Sequence, residues 1–357
     1  TFPYFYNWSN NQNTALNNNL SAGTYTVTVT DNNGCVLINS VNIGEPLSPL
    51  SANINSASNI TCNGGNDGTL DVDGAGGTPN YTFAWSSGQT TDAISGLSAG
   101  NYSVTVTDSR GCQAITNAQL TEPSAIVLNT SVYSNYNGSA ISCPGEQDGS
   151  AQVLASGGNP PYSYAWSNGD NNPINNNLFA GTYLVTVTDA SGCQAIDSIR
   201  LEDPVPLQAQ LDTAVNIFCH GDDDGQIIVS AVAGTGTLGQ NGYEYLLAGP
   251  GQNGNLFTSN NAWYNLAPGA YVVTVRDGND CEVTIPVTLS EPDPLSSTMS
   301  ASAISCNGGN DGTATVSPTG GTAPYNYQWS NGQTSQTATG LAAGNYEVTI
   351  IDANGCD

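Results

Sequence analysis

Hydrophobic and polar residues alternate over 102–107 within the stretch 99–112, and the chain writes this stretch five times, ending on Cys35, Cys112, Cys193, Cys281 and Cys356. Tyr102, Val104 and Val106 interleave with Ser103, Thr105 and Thr107, the period of two that marks a strand with one buried and one wet face. Asp108 and Gly111 then fit the first and last positions of a type I turn, where Asp bonds the backbone and Gly relieves crowding. The copies recur at roughly eighty residues, too far apart for a solenoid repeat and suited to a row of small sandwich domains.

The remaining alternation fills in each repeat. In the second, a strand near Leu50–Ile54 leads to a turn-rich segment, 60–69, followed by a strand through Leu70 and Val72 and a Gly76-Gly-Thr-Pro79 loop. Tyr81, Phe83 and Trp85 share one face of the next strand, a weaker strand spans 93–97, and 114–120 closes the sheet. The third and fifth repeats keep this order, with Tyr162, Tyr164, Trp166 and Tyr325, Tyr327, Trp329. The fourth places Leu247 where Trp is expected, adds a Gly/Asn-rich insertion (Gly249–Asn261) and brings Trp263 one strand later. That reads as a longer hairpin with the core Trp supplied by the neighbouring strand, or as a binding loop. The Gly before the signature strand, with Tyr102 two residues on, resembles the tyrosine corner of an immunoglobulin-like sandwich.

Five units are expected: 1–46, the C-terminal part of a truncated repeat with an open core and an unpaired Cys35; 47–123; 124–204; 205–292, divergent and with the insertion; and 293–357, lacking its last strand. Glu45-Pro46, Glu122-Pro123, Glu202-Asp203-Pro204 and Glu291-Pro292 punctuate them. Proline stops strand pairing, so each acts as a boundary and short linker; a linker carboxylate that binds a cation is the alternative. The fold class is all-β, a tandem array of immunoglobulin-like (PKD-like) β-sandwiches with one intradomain disulfide each.

Charge narrows the partners. The 357 residues carry 29 acidic side chains against three basic ones, Arg110, Arg200 and Arg276, for a net charge of −26. Nucleic acid is excluded, because phosphate binding needs a basic footprint, and anionic lipid is disfavoured. Few charges, no lysine and regularly placed Cys point to an extracellular, cell-surface location. No apolar run in this stretch is long enough for a membrane span.

The pairing expected for the cysteines is Cys62 with Cys112, Cys143 with Cys193, Cys219 with Cys281 and Cys306 with Cys356, each within one domain at a spacing of about fifty to sixty residues. Such a bridge contributes on the order of 4 kcal/mol through the unfolded state. With six strands, however, it joins two turns at one end and leaves both termini at the other. A seventh strand, or a first strand split between sheets, would resolve this.

The carboxylates recur once per repeat. Asp67 with Asp108, Asp148 with Asp189, Asp224 with Asp277 and Asp311 with Asp352 are expected at a common end, with Asp222 next to Asp224 in the richest acidic spot. Asn/Asp/Gly turns suit calcium, a hard cation that takes carboxylate and carbonyl oxygens, but the order is not that of an EF-hand, and such residues also cap their own turns. No other cofactor is expected. The aromatic strand faces are core, with Tyr133, Tyr136 and Trp263 as candidates for stacking on glycan. His220 is the one histidine and has no Ser or Cys placed beside it as a nucleophile, so no catalytic residue is assigned.

Four motifs taken together, Ile-Ser/Thr-Cys-x-Gly-x-x-Asp-Gly, Tyr-x-Phe/Tyr-x-Trp-Ser-x-Gly, Ala-Gly-x-Tyr-x-Val-Thr-Val-x-Asp-x-x-Gly-Cys and Glu-Pro, resemble the SprB repeats of Bacteroidetes gliding-motility adhesins, and the middle section is similar to PKD-type domains. The resemblance implies a non-enzymatic cell-surface stalk or filament, exported by the type IX system. Its partners would be surface polysaccharide or a solid substratum and neighbouring repeats of the same chain, with lateral self-association through a bare sheet edge. A glycan-binding array and accessory domains of a large secreted hydrolase are the alternatives.

Overall fold

The computed structural model describes residues 1–234, 242–254 and 256–357, and every regular element among them is a β-strand. The chain divides into two compact units: Thr1–Val127 with Ala155–Ser163 and Val187–Ala195, and Leu128–Leu154 with Tyr164–Thr186 and Ile196–Asp357.

The first repeat is one antiparallel sheet, β1 (Tyr4–Trp8), β2 (Gly23–Asp31) and β3 (Val36–Ile43), in the order β1-β2-β3. None of residues 1–46 is fully buried, and Val36, Leu37 and Ile38 are exposed.

The second repeat shows the complete pattern. Strands β4 (Ser51–Ser58), β5 (Gly68–Ala75) and β7 (Ala93–Leu97) form one sheet, and β6 (Thr82–Trp85), β8 (Gly100–Thr107) and β9 (Gln113–Leu120) the other. Period-2 alternation turns Leu70, Val72, Ile94 and Leu97 of the first sheet toward Trp85, Val104, Val106 and Leu120 of the second, closing a core of fully buried side chains. A register shift between Ile54 and Ser56 bends β4 along β5.

The third repeat runs β10 (Val127–Val132), β11 (Gly149–Ser156), β12 (Ser163–Trp166), β13 (Ile174–Leu178), β14 (Gly181–Thr188) and β15 (Gln194–Leu201), in sheets β10-β11-β13 and β12-β14-β15. The fourth has β16 (Leu207–Val215), β17 (Gly225–Ala233), β18 (Glu244–Gly249), β19 (Gln252–Asn253), β20 (Ala262–Leu266), β21 (Gly269–Arg276) and β22 (Glu282–Leu289), in sheets β16-β17-β20 and β19-β18-β21-β22. The fifth has β23 (Ser296–Ser302), β24 (Gly312–Thr319), β25 (Asn326–Trp329), β26 (Thr337–Leu341) and β27 (Val348–Ile351), in sheets β23-β24-β26 and β25-β27.

A tyrosine and a tryptophan recur as hydrogen-bonded pieces of each sandwich. The signature Tyr donates to the carbonyl four residues back, Tyr102 to Ser98, Tyr183 to Phe179 and Tyr271 to Ala267 at 2.8–3.0 Å, and Tyr25 to Ser21 at 3.1 Å. This is the expected corner. Trp85, Trp166 and Trp329 are buried, and each indole N–H reaches the carbonyl six residues on at 2.9 Å, so no polar group is orphaned.

In the fourth repeat Leu247 takes the buried place of Trp, and Trp263 packs against the same core from β20. The insertion bends back onto its own sheet: Phe257 lies 4.0 Å under the Arg276 guanidinium, and Thr258 pairs with Tyr245. Asn255 of the stretch 249–261 lies outside the described residues.

Tyr271 is the most buried of the corner tyrosines. Tyr271→Phe leaves the Ala267 carbonyl without its donor and is expected to destabilise the oxidised chain by about 1–2 kcal/mol. Thermal unfolding reads this directly, and an unchanged midpoint would remove the corner as a source of stability.

Candidate functional site

Each repeat presents two Cys-bearing turns. The chain enters the second repeat near Ser48–Leu50, where Gly77 N–H donates to the Ser48 carbonyl and Ser109 N–H to that of Thr78. The turn 108–112 therefore lies at this entry end. It leaves at 121–123, where Ile60 N–H donates to the Thr121 carbonyl, which puts the turn 60–67 at the exit end.

The entry turn is built on one carboxylate. Gly111 N–H donates to the Asp108 carbonyl and Asp108 N–H to that of Cys112, a type I turn with its last residue in the left-handed region (Gly111, φ 87°). Asp108 Oδ1 accepts the N–H groups of Arg110 and Cys112, and Oδ2 that of Thr78, all at 2.9 Å, so the buried side chain ties the hairpin to the neighbouring loop. Asp189 does the same for Ser191, Cys193 and Asn159, and Asp352 for Asn354, Cys356 and Thr322. Asp277 holds Asn279 and Cys281, with Asp280 adopting the positive φ that Gly supplies elsewhere. Hydrogen bonds from Thr78 and from Asn159 hold the Asp108 and Asp189 carboxyls below their usual range against the opposing effect of burial; Asp352 is also lowered, the N–H bonds outweighing its burial.

The exit turn reads off the Ile-Thr-Cys motif. Ile60 plugs the end of the core, and Gly68 lies so close to Leu120 and the Leu97 carbonyl that a Cβ would meet both at 2.8 Å. Asp67 Oδ1 accepts Thr61 N–H at 3.0 Å, and Asp148, Asp224 and Asp311 take the corresponding N–H of Ser142, Phe218 and Ser305. The acid before the linker proline completes it. Glu122, Asp203 and Glu291 accept the N–H of Gly64, Gly145 and Gly221, the residue two after each Cys. This role was missed in the sequence. The signal available was an acid preceding proline each time.

The bridges correct the expected pairing. They join Cys62 to Cys193, Cys143 to Cys281 and Cys219 to Cys356, at sequence separations of 131, 138 and 137 and a Cα–Cα distance of 5.6 Å each. Each runs from the exit turn of one repeat to the entry turn of the next, so among the described residues there is no intradomain bridge, and Cys112 and Cys306, like Cys35, are unbridged and exposed. The physical reason lies in strand direction. β5 climbs from exit to entry; β6 descends only from Thr107 to the level of Val104, and β7 completes the descent from Asp71 to Gly68; β8 climbs again. Two short strands share one crossing, so Cys62 and Cys112 end at opposite ends of an eight-residue strand, roughly 23 Å apart, well beyond a disulfide's reach.

The same geometry undoes the carboxylate pairs. Asp67 and Asp108, like Asp148 with Asp189, Asp224 with Asp277 and Asp311 with Asp352, sit on opposite end-turns of their repeat. Asp222 and Asp223 are exposed beside Asp224. Among the described residues no group of three or more His, Cys, Asp or Glu side chains is arranged to hold a metal ion. Of the glycan-stacking candidates, Tyr133 is exposed, Tyr136 donates to the Asp148 carbonyl at 3.0 Å and Trp263 is half-buried.

At each joint the entry turn rests on the carbonyl that precedes the exit cysteine. Cys193 Sγ lies 3.4 Å from Thr61 O, Cys281 Sγ 3.3 Å from Ser142 O and Cys356 Sγ 3.5 Å from Phe218 O. Asn279 Nδ2 donates to Ser142 O and Tyr136 O, and Asn354 Nδ2 to Phe218 O at 2.9 Å.

The class these features define is a tandem array of immunoglobulin-like β-sandwich repeats stapled by disulfides. Within it, three segments of the chain, 54–90, 138–171 and 298–334, match the SprB repeat, and each contains or adjoins an exit turn and runs through the core Trp. Solved structures to which the chain is similar include three N-terminal domains of the outer capsid protein Hoc of bacteriophage RB49 (16% identity, 68% of this chain and 96% of that one, TM-score 0.30). Others are the eight N-terminal Ig domains of Down syndrome cell adhesion molecule (13%, 97% and 55%, 0.28) and a tetra-tandem repeat from the extending region of a large adhesion protein (15%, 86% and 89%, 0.27). The chain thus spans about half the length of that eight-domain structure. No curated protein matches it.

Because the Asp108, Asp189 and Asp352 carboxyls have pKa values held below the ordinary aspartate range in the folded chain, the stability they contribute is full above that ordinary range and is lost as pH falls through the lower folded pKa. The thermal midpoint of the oxidised chain should hold at neutral pH and fall in strong acid. Asp189→Asn puts an NH2 opposite the Asn159 N–H and should lower the midpoint at pH 7 while narrowing the difference from the unaltered chain in acid. A constant gap at both pH values would contradict the clamp.

Proposed function

We propose that this chain is a non-enzymatic, load-bearing spacer of a cell-surface adhesin, each sandwich repeat acting as one module of a stalk. The observation that carries the reading is that every bridge crosses from one repeat to the next. Each joined pair is held at two points, by the Pro linker and by the disulfide, which resists swivelling at the joint. Regularly placed disulfides also suit an extracellular location, and the described residues contain no helix long and apolar enough to cross a membrane. Export by a type IX system, movement during gliding and adhesion to polysaccharide or a solid surface follow from the SprB resemblance and are part of the proposal.

The bridges also limit how far the chain can lengthen. Their loops overlap, so the shortest covalent route between Cys62 and Cys356 crosses one bridge to Cys193, follows residues 193–219 and crosses another. Even with every sandwich unfolded, that route spans on the order of 100 Å, against about 1,000 Å for the same stretch without bridges.

Single-molecule pulling from the two termini tests this. The oxidised chain should reach a contour length of roughly 300 Å and the reduced chain roughly 1,200 Å. Equal lengths in the two states would overturn the spacer reading in its bridged form.

A further inference from the structure

In the second, third and fifth repeats the sheet that holds the core tryptophan ends on a short strand, β6, β12 or β25. Ser86 N–H donates across that sheet to the Ser103 carbonyl at 2.8 Å. Alternation therefore turns the backbone groups of Ala84 and Thr82 toward β8, and those of Trp85 and Phe83 away from it. The Trp85 groups are taken by its own turn, the N–H by the Gln89 carbonyl and the C=O by Gly88 N–H. Phe83 stands on the open edge, and no strand among the described residues lies beside it. Tyr164 and Tyr327 hold the same place, because Ser167 and Ser330 N–H donate to Leu184 and Glu347, and the turns close on Trp166 and Trp329 as on Trp85. The fourth repeat shows what fits there. Tyr245 faces Val275 as Phe83 faces Val106, and it exchanges both hydrogen bonds with Thr258 of the insertion, at 2.7 and 2.9 Å. β19 pairs with the far end of the same strand. Where the chain supplies an extended segment, that segment completes this edge.

We propose that the edges of β6, β12 and β25 are lateral docking sites for a second copy of this chain, strand against antiparallel strand. The partner strand is the same edge in the other copy. Phe83 opposite its own counterpart exchanges the two hydrogen bonds that Tyr245 and Thr258 exchange, and two-fold symmetry sets Thr82 opposite Ala84 on each side. Charge permits the approach. Residues 74–91, 155–169 and 312–346 contain no charged side chain in a chain of net charge −26, so two such edges meet without like charges face to face. Charged side chains are a common guard of exposed edges, and these three strands lack them. The corresponding strand that carries one is β18, with Glu244, and its edge is already covered.

The test uses the intact oxidised chain with Cys35, Cys112 and Cys306 alkylated, so that no new disulfide forms, and follows its mass by sedimentation as concentration rises. The mass should at least double, and amide exchange at Phe83, Tyr164 and Tyr327 should slow by about tenfold once nine in ten edges are paired. Thr82→Lys with Ala84→Lys, Ser163→Lys with Ala165→Lys and Asn326→Lys with Gln328→Lys, made together, set like charges opposite each other and should leave the chain monomeric. Replacing the second change of each pair by Ala84→Glu, Ala165→Glu and Gln328→Glu sets unlike charges opposite and should restore pairing. Thermal unfolding checks that both variants fold, and the exchange measurement on the unaltered chain decides the matter if one does not. A chain that stays monomeric, exchange at Phe83 that ignores concentration, or association indifferent to the charges at these positions would each overturn the proposal.

Discussion

The bridged joints at Cys193 and Cys356 depend on a carboxylate that answers three backbone N–H groups at once. Asp108 and its counterparts Asp189 and Asp352 are nearly closed to water, and each fixes the two amides of its own hairpin and one from the loop across the sandwich. An ionised carboxylate buried without partners would be costly, and three amides compensate it without any cation. The consequence reaches beyond the turn. The Cys that follows is the residue whose N–H the carboxylate holds, so its thiol projects from a preset position. The ordering of the turn does not have to be supplied by the disulfide itself.

With the cysteines preset, two attachments join each bridged pair. A proline linker alone would leave a swivel, whereas a second link at the far edge of the joint leaves less freedom. The exit side is made ready in the same manner, since Glu122, Asp203 and Glu291 reach from the linker to the turn that carries the other cysteine. Linker and bridge are thereby coupled, because the acid just beyond the last strand also holds the cysteine turn. Chain-entropy reasoning gives a loop of about a hundred residues nearly 5 kcal/mol. Here the loops share residues, so closing one already shortens the path that the next must close, and their contributions do not add.

Much of this was legible in the sequence. Alternation located the signature strands, Tyr102 and its equivalents make the corner that their spacing implied, and Asp108 and Gly111 form the turn that their chemistry demands. The exchange of Trp for Leu247, with Trp263 filling in from the next strand, was also readable from the displaced aromatic. The pairing of the cysteines was not. A spacing of about fifty residues recurs whether bridges stay within repeats or step between them, because both are periodic. What decides is the direction in which the chain arrives at Cys112, and that depends on β6 and β7 sharing a single crossing of the sandwich. Counted as two crossings, they return Cys112 to the end that holds Cys62. Register, unlike alternation, is set by which residues face each other across strands, and the chain does not spell that out locally.

The unlike character of the two turns gives the array a direction. An exit turn offers a bare carbonyl ahead of its cysteine, and an entry turn offers, in two of the three joints, an Asn amide two residues before its own. Two exit turns facing each other would bring acceptor to acceptor, and two entry turns donor to donor. Only the mixed pairing satisfies both, which is the one seen at all three bridges. The arrangement also fits the charge of the chain. With 29 acidic side chains and three basic ones, the chain has few cations with which to organise the joints. Backbone amides and Asn side chains supply the donors instead, and the acids set around each cysteine turn act as acceptors for the main chain.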